Sequence, residues 1–177
     1  MNPILLAACI IPPMLLSINH PGEYTICPGT YSTHISIQSD NVTLNCLGTR
    51  MIGDGAFETG VWSQGIQICN GARTFENITI QGCRIENSVI GISGTEVEDE
   101  GMHSALPSRG KLVLKNNVFK TNYSVFTCSL SPGSVILERN KGGPAIILGN
   151  GTVNSQKDAL HVYMYDITGY NNPQCRY

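Results

Sequence analysis

The chain has 177 residues, one domain's worth, with charged side chains making up only 14% against about 25% in ordinary soluble domains. Eleven basic and 13 acidic residues leave a net charge of −2, so there is no positive surplus to hold a phosphate backbone, and nucleic acid is excluded as a partner. Ile and Val number 29 against 7 Ala, beside 19 Gly and 15 Asn, which favours short strands and tight turns and argues against helix bundles and doubly wound α/β folds.

The first segment, residues 4–16 (ILLAACIIPPMLL), is apolar and uncharged, too short to span a bilayer comfortably and interrupted by Pro12 and Pro13. Residues 1–20 are therefore expected to be a signal peptide, a tether or a retained hydrophobic plug, and the only part of the chain that would meet a membrane. The stretch Leu6 to Cys9 is similar to a lipidation box with too short an apolar run before it. Setting Cys9 aside leaves Cys27, Cys46, Cys69, Cys83, Cys128 and Cys175. None stands in a CxxC pair, so zinc and iron–sulfur spacings are missing and no metal or other cofactor is expected. An even count in an oxidising compartment permits three disulfides, of which Cys27 to Cys46 is the favoured one. Buried free thiols are the alternative. Sequons at Asn41, Asn77, Asn122 and Asn150 are candidate glycosylation sites and weak support for an exterior location, since an Asn- and Thr-rich chain generates such triplets by composition.

The rest of the chain repeats itself. Asp40 to Cys46 reads DNVTLNC, with Val42 and Leu44 apolar. Asn77 to Asn87 reads NITIQGCRIEN, with Ile78, Ile80 and Ile85 in step and Cys83 at a tight position. Lys111 to Asn122 reads KLVLKNNVFKTN, with Leu112, Leu114 and Phe119 in step and Asn117 where Cys83 stood. Ser134 to Asn140 reads SVILERN, and PAIILGNGTV from Pro144 places Ala145, Ile147 and Asn150 on the same template. The starts at Val42, Ile78, Leu112 and Val135 are separated by 36, 34 and 23 residues. A turn of a parallel β-coil takes about twenty-odd residues, so the two longer intervals hold insertions, at 53–64 and at 94–110, the latter acidic and expected to be a solvated loop. Short strands GIQI (Gly65–Ile68), GIS (Gly91–Ser93), VFT (Val125–Thr127) and ALHVY (Ala159–Tyr163) lie between the copies. One turn cannot bury its own apolar face, but stacked turns enclose a shared column, with Asn117 and Asn140 as a structural ladder at a corner.

CPGTY from Cys27, ISIQSDNVTLNCLGTRMIGDG from Ile35, GIQI, NITIQGCRIEN and the GI at Gly91 together resemble the right-handed parallel β-helix proteins of the pectin-lyase-like and NosD-like repeat family. The resemblance covers about residues 24–163. It implies an all-β, right-handed, single-stranded parallel β-helix of about four to six short rungs with corner insertions, occupying 21–177 and closed by a tyrosine-rich cap at about 164–177. It says little about activity, because that fold hosts lyases, hydrolases, epimerases, adhesins, viral fibres and scaffolds.

Inward Val42, Ile78, Leu112 and Val135 send Thr43, Thr79, Val113 and Ile136 outward, with Asn45, Gln81, Lys115 and Glu138 two residues on. That face lacks the clustered Asp that lyase or hydrolase chemistry of this family needs, and the DPHD motif of the alginate epimerases is missing. Asp158 and His161 lie three apart, on opposite sides of a strand, so no catalytic residue is assigned. Glu96, Glu98, Asp99 and Glu100 match no calcium-loop spacing. Trp62 in the first insertion, with Thr43, Thr79 and Gln81 on the outer face, are the ligand-binding candidates. The expectation is a non-enzymatic structural or carbohydrate-binding module, secreted or on a cell or particle surface, with polysaccharide or neighbouring copies of itself as partners. The alternatives are a polysaccharide-active enzyme and a self-assembling virion or filament subunit.

Overall fold

Segments such as VTLN, ITIQ and VILE alternate β-branched or Leu residues with polar ones, and each becomes a strand with one buried and one solvent-facing side. The computed structural model describes residues 9–55, 63–68, 74–98, 101–105, 107–129 and 131–165. Among these there is no helix and there are twenty strands. In chain order they are β1 (Leu15–Ile18), β2 (Gly22–Thr25), β3 (Thr30–Tyr31), β4 (His34–Ile37), β5 (Val42–Asn45), β6 (Arg50–Ile52), β7 (Gln64–Gln67), β8 (Ile78–Gln81), β9 (Arg84–Glu86), β10 (Ile90–Ser93), β11 (Thr95–Glu98), β12 (Gly101–Ala105), β13 (Pro107–Ser108), β14 (Lys111–Lys115), β15 (Val118–Lys120), β16 (Tyr123–Ser129), β17 (Ser134–Glu138), β18 (Ala145–Leu148), β19 (Thr152–Gln156) and β20 (Val162–Tyr165).

Three sheets are parallel throughout. Sheet I has the order β2-β5-β8-β14-β17-β19, sheet II is β3-β6-β9-β15, and sheet III is β1-β4-β7-β10-β16-β18-β20 with β13 also on β16. As far as β17 the chain visits the three sheets in cyclic order, and in the last circuits it passes sheet II through the single bridged residues Lys141 and Ala159. Each strand of the three sheets pairs with its counterpart one circuit later, an arrangement compatible with a parallel β-helix-like fold. Val113 pairs with Thr79 and Ile136, and Thr79 with Thr43, so the outward columns expected from the repeat are formed in register. The inward positions make the core. Val42, Leu44, Ile78, Ile80, Leu114 and Leu137 come from sheet I, Met51, Ile85 and Phe119 from sheet II, and Ile35, Ile66, Ile92, Val125 and Ile147 from sheet III, all buried. Each buried aliphatic side chain of this size contributes about 1.5–3 kcal/mol.

Two expectations need correction. PAIILGNGTV is not a further copy of the sheet I strand: Ala145 and Ile147 pair with Val125 and Thr127 in sheet III, whereas Val153 of β19 stands beside Val135. Periodicity alone cannot distinguish them, because strands on different faces of one coil bury alternate residues in the same way. The insertion at 94–110 is no plain loop. β11 and β12 pair antiparallel and β13 adds to β16, since a hairpin needs only backbone pairing and a turn, which the acidic composition does not prevent.

Among the described residues two disulfides have both partners, Cys9 to Cys27 and Cys46 to Cys83, and Cys128 is disulfide-bonded as well. The favoured Cys27–Cys46 pairing is therefore wrong, and Cys9 belongs to the framework. Cys46 and Cys83 are 37 residues apart in sequence but 4.8 Å apart at Cα, because the intervening insertion lengthens the circuit without adding to its rise. Cys69 and Cys175 lie outside the described residues. Part of the apolar N-terminal segment is built into the sheets, with Ile10 bridging to Ile26 and β1 pairing with β4. Met164 and Tyr165, where the cap was expected to begin, are the end of β20, and 166–177 lie outside the described residues.

Candidate functional site

At the corner between sheets II and III the insertion at 53–64 departs after β6 and returns before β7. Asp54 and Ser63, near its two ends, line the same open cleft of about 380 Å³. Its walls are Met14 from one circuit, Ser32, Thr33 and His34 from the next, and Ile52, Gly53, Gln64 and Gln67 from the one after. The volume falls in the range of small-ligand pockets, and hydroxyl, amide, imidazole and carboxylate groups converge in it.

The cleft is held by backbone pairing as much as by side chains. Thr33 Oγ1 donates to the Pro13 carbonyl at 2.6 Å, and the His34 amide donates to the Met14 carbonyl at 2.9 Å. His34 Nδ1 lies 2.7 Å from the Gln64 carbonyl oxygen. A carbonyl only accepts, so Nδ1 carries the proton and Nε2 is the acceptor of the neutral ring. The Gln64 Oε1 atom is buried without a hydrogen-bond partner, as is Ser88 Oγ behind Gly53. Buried acceptors left unmatched in this way cost about 1–3 kcal/mol each, and Gln64 Oε1 sits on a residue that lines the cleft.

The other sequence candidates fall elsewhere. Thr43, Thr79 and Gln81 lie on the outer face of sheet I, where the Gln81 amide donates to Asn45 Oδ1 and Lys115 Nζ meets Glu138 at 3.2 Å. Gln81 with Asn45 and Lys115 with Glu138 thus bond across neighbouring strands of the column. Trp62 lies outside the described residues, although Ser63, its sequence neighbour, is a cleft residue. The four sequon asparagines are exposed, and Asn77 Nδ2 donates to Asn41 Oδ1 at 3.2 Å. Asp158 and His161 form no dyad: the Asp158 carboxylate accepts from Asn140, Ser155 and Gln156, and His161 is exposed. Asp99 and Glu100 lie outside the described residues. Among the described residues no group of three or more His, Cys, Asp or Glu stands together as a metal site, and no helix is long and apolar enough to cross a membrane. Sequence reasoning passed over His34 and Gln64. Their one signal was position, on either side of the circuit that carries the first insertion.

A second polar cluster occupies the outer face of sheet II. Glu86, 8% exposed at its side chain, accepts from Arg50 Nε at 2.8 Å and Nη2 at 2.5 Å, and from Arg84 Nε at 2.5 Å, with Lys120 Nζ at 3.5 Å. The hydrogen bonds from Arg50 and then Arg84 hold its carboxyl down at about 2, well below the ordinary 4.5, against the opposing effect of burial. The same contact raises Arg50 further above its usual range.

No protein-family model, curated protein or solved structure matches the chain.

Proposed function

We propose that the chain is a right-handed parallel β-helix module, in the manner of the pectin-lyase-like and NosD-like repeats, that works outside the cell or on a particle surface and binds carbohydrate in the His34 cleft without turning it over. The cyclic order of the three sheets supports the winding, and the disulfides support an oxidising location. The observation that carries the binding reading is the cleft itself. Side chains with hydroxyl, amide and imidazole groups line an open volume of about 380 Å³. Sugar hydroxyls are donors and acceptors in equal measure and suit such a wall.

Affinity electrophoresis of the intact protein through gels containing neutral polysaccharides tests this, with His34→Ala and Gln64→Leu as variants. Retardation by at least one polymer that both variants weaken several-fold is expected. Unretarded migration through a broad polymer set sinks the reading. The enzymatic alternative has one observation in its favour, that His34 and Asp54 line the same cleft. Release of reducing ends or unsaturated products from a retained polymer, abolished by His34→Ala, would establish it instead.

A further inference from the structure

The outer face of sheet II is electropositive in a chain whose net charge is −2. Arg50, Arg84 and Lys120 surround the single carboxylate of Glu86, and Lys141, bridged to Val118, adds an exposed fourth cation on the same face. A structural ion pair requires one counter-charge for Glu86; three converge on it. Arg50 and Arg84 are directly paired across neighbouring strands, at a spacing of about 4.8 Å where two guanidinium groups repel. Glu86 fixes both by their Nε groups and leaves Arg84 Nη1 and Nη2 and Arg50 Nη1 with no partner among the described residues. The side chains of the three cations are 44–59% exposed, while the carboxylate beneath is 8% exposed. The result is a platform of oriented N–H donors over a buried anion, with the three cations that meet Glu86 leaving two positive charges over.

We infer that Arg50, Arg84 and Lys120, held over Glu86, bind a doubly charged tetrahedral oxyanion such as a phosphate monoester. The charge left over matches a dianion, and the open guanidinium edges match its oxygens two at a time. The site is independent of the His34 cleft in chemistry but adjacent to it. Ile52, which lines the cleft, is paired with Glu86 and lies two residues from Arg50 on the same strand. A phosphorylated saccharide therefore reaches both, whereas free phosphate occupies the arginines alone.

Isothermal titration of the intact protein with inorganic phosphate and with glucose 6-phosphate, at constant ionic strength balanced with chloride, tests the assignment. Saturable one-to-one binding is expected, at least tenfold weaker in Arg84→Gln and weakened in Lys120→Gln, whose side chain is 59% exposed. Glu86→Gln, if folded by circular dichroism, binds more tightly because the face gains a charge. Tighter binding of the sugar phosphate than of phosphate, with the difference lost in His34→Ala, identifies a phosphorylated saccharide as the source. Equal affinities identify the free anion. No saturable binding of either probe, or equal affinity in wild type, Arg84→Gln and Lys120→Gln, overturns the inference whatever the neutral polymers show.

Discussion

Asn140 Oδ1 accepts two hydrogen bonds from Asn117, one circuit earlier, from the backbone nitrogen at 3.1 Å and from Nδ2 at 3.0 Å. The ladder extends both ways. Asn117 Oδ1 accepts from the Cys83 amide at 3.0 Å, and the Asn140 amide group donates to the Leu114 carbonyl and to Asp158. Both asparagines are fully buried, so these bonds replace water for backbone groups at a corner where the sheet ladder stops.

Replacing Asn140 by Leu leaves the Asn117 backbone amide unmatched in the interior and removes the bonds to the Leu114 carbonyl and Asp158. Stability is expected to fall by about 2–4 kcal/mol, read from the urea midpoint. Asn140→Asp keeps the acceptor but sets a second carboxylate beside Asp158, so it should also destabilise, and more at pH 8 than at pH 4. A midpoint unchanged in Asn140→Leu would show that the ladder carries no stability.

The Cys46–Cys83 bridge ties together positions 37 apart in sequence. Loop-closure entropy for that span gives about 3–4 kcal/mol. A Cys46→Ala, Cys83→Ala double variant should lose an amount of this order in urea denaturation, without change in the parallel-sheet circular dichroism spectrum.

Acid sensitivity follows from Glu86. Its carboxyl titrates at about 2 in the folded chain against 4.5 ordinarily, a depressed value. The stabilisation is therefore complete above about 4.5 and is lost as the pH falls toward 2. Thermal melts of wild type and Glu86→Gln between pH 7 and pH 2.5 should differ most at neutral pH, with wild type the more stable, and converge through that window. A gap that stays constant with pH would refute the assignment.

Gly53 lies where two circuits meet at the cleft. A Cβ there would sit 2.2 Å from Ser88 Oγ and 2.6 Å from the Asn87 carbonyl oxygen, and the carbonyl belongs to the backbone and cannot swing aside. Gly53→Ala should cost about 1–3 kcal/mol by overpacking. It should also weaken ligand retention by the cleft, which a glycan-gel mobility comparison against wild type measures.

Much of the fold is legible in the chain because strands stacked in parallel register write themselves as a repeat. Val42, Ile78, Leu112 and Val135 recur with outward partners that match in register, and the pairing follows that alignment residue by residue. Asn117 and Asn140 read as ladder residues and are so. The left-handed backbone of the corners falls instead to neighbours, with Asn41, Asn77, Asn87 and Asn116 at φ between 53° and 58° and Arg139 at 56°. At the buried corner the stacked side chains are Asn117 and Asn140 and the left-handed turns are Asn116 and Arg139, whereas Asn41 and Asn77 combine both roles at an exposed one. The sequence does not mark which of two adjacent residues does which.

The amino-acid order determined the strand periodicity, the columns of inward Ile, Val and Leu, and the sparse charge, since each is a property of neighbours along the chain. Folding alone decided the Cys46–Cys83 partnership, the assembly of His34 with Gln64 and Asp54, and the gathering of Arg50, Arg84 and Lys120 on Glu86. Each of those brings together residues about a full circuit apart. Where the insertions vary the length of a circuit, linear spacing no longer measures distance, and only the closing of the hydrogen-bonded ladders sets which side chains meet.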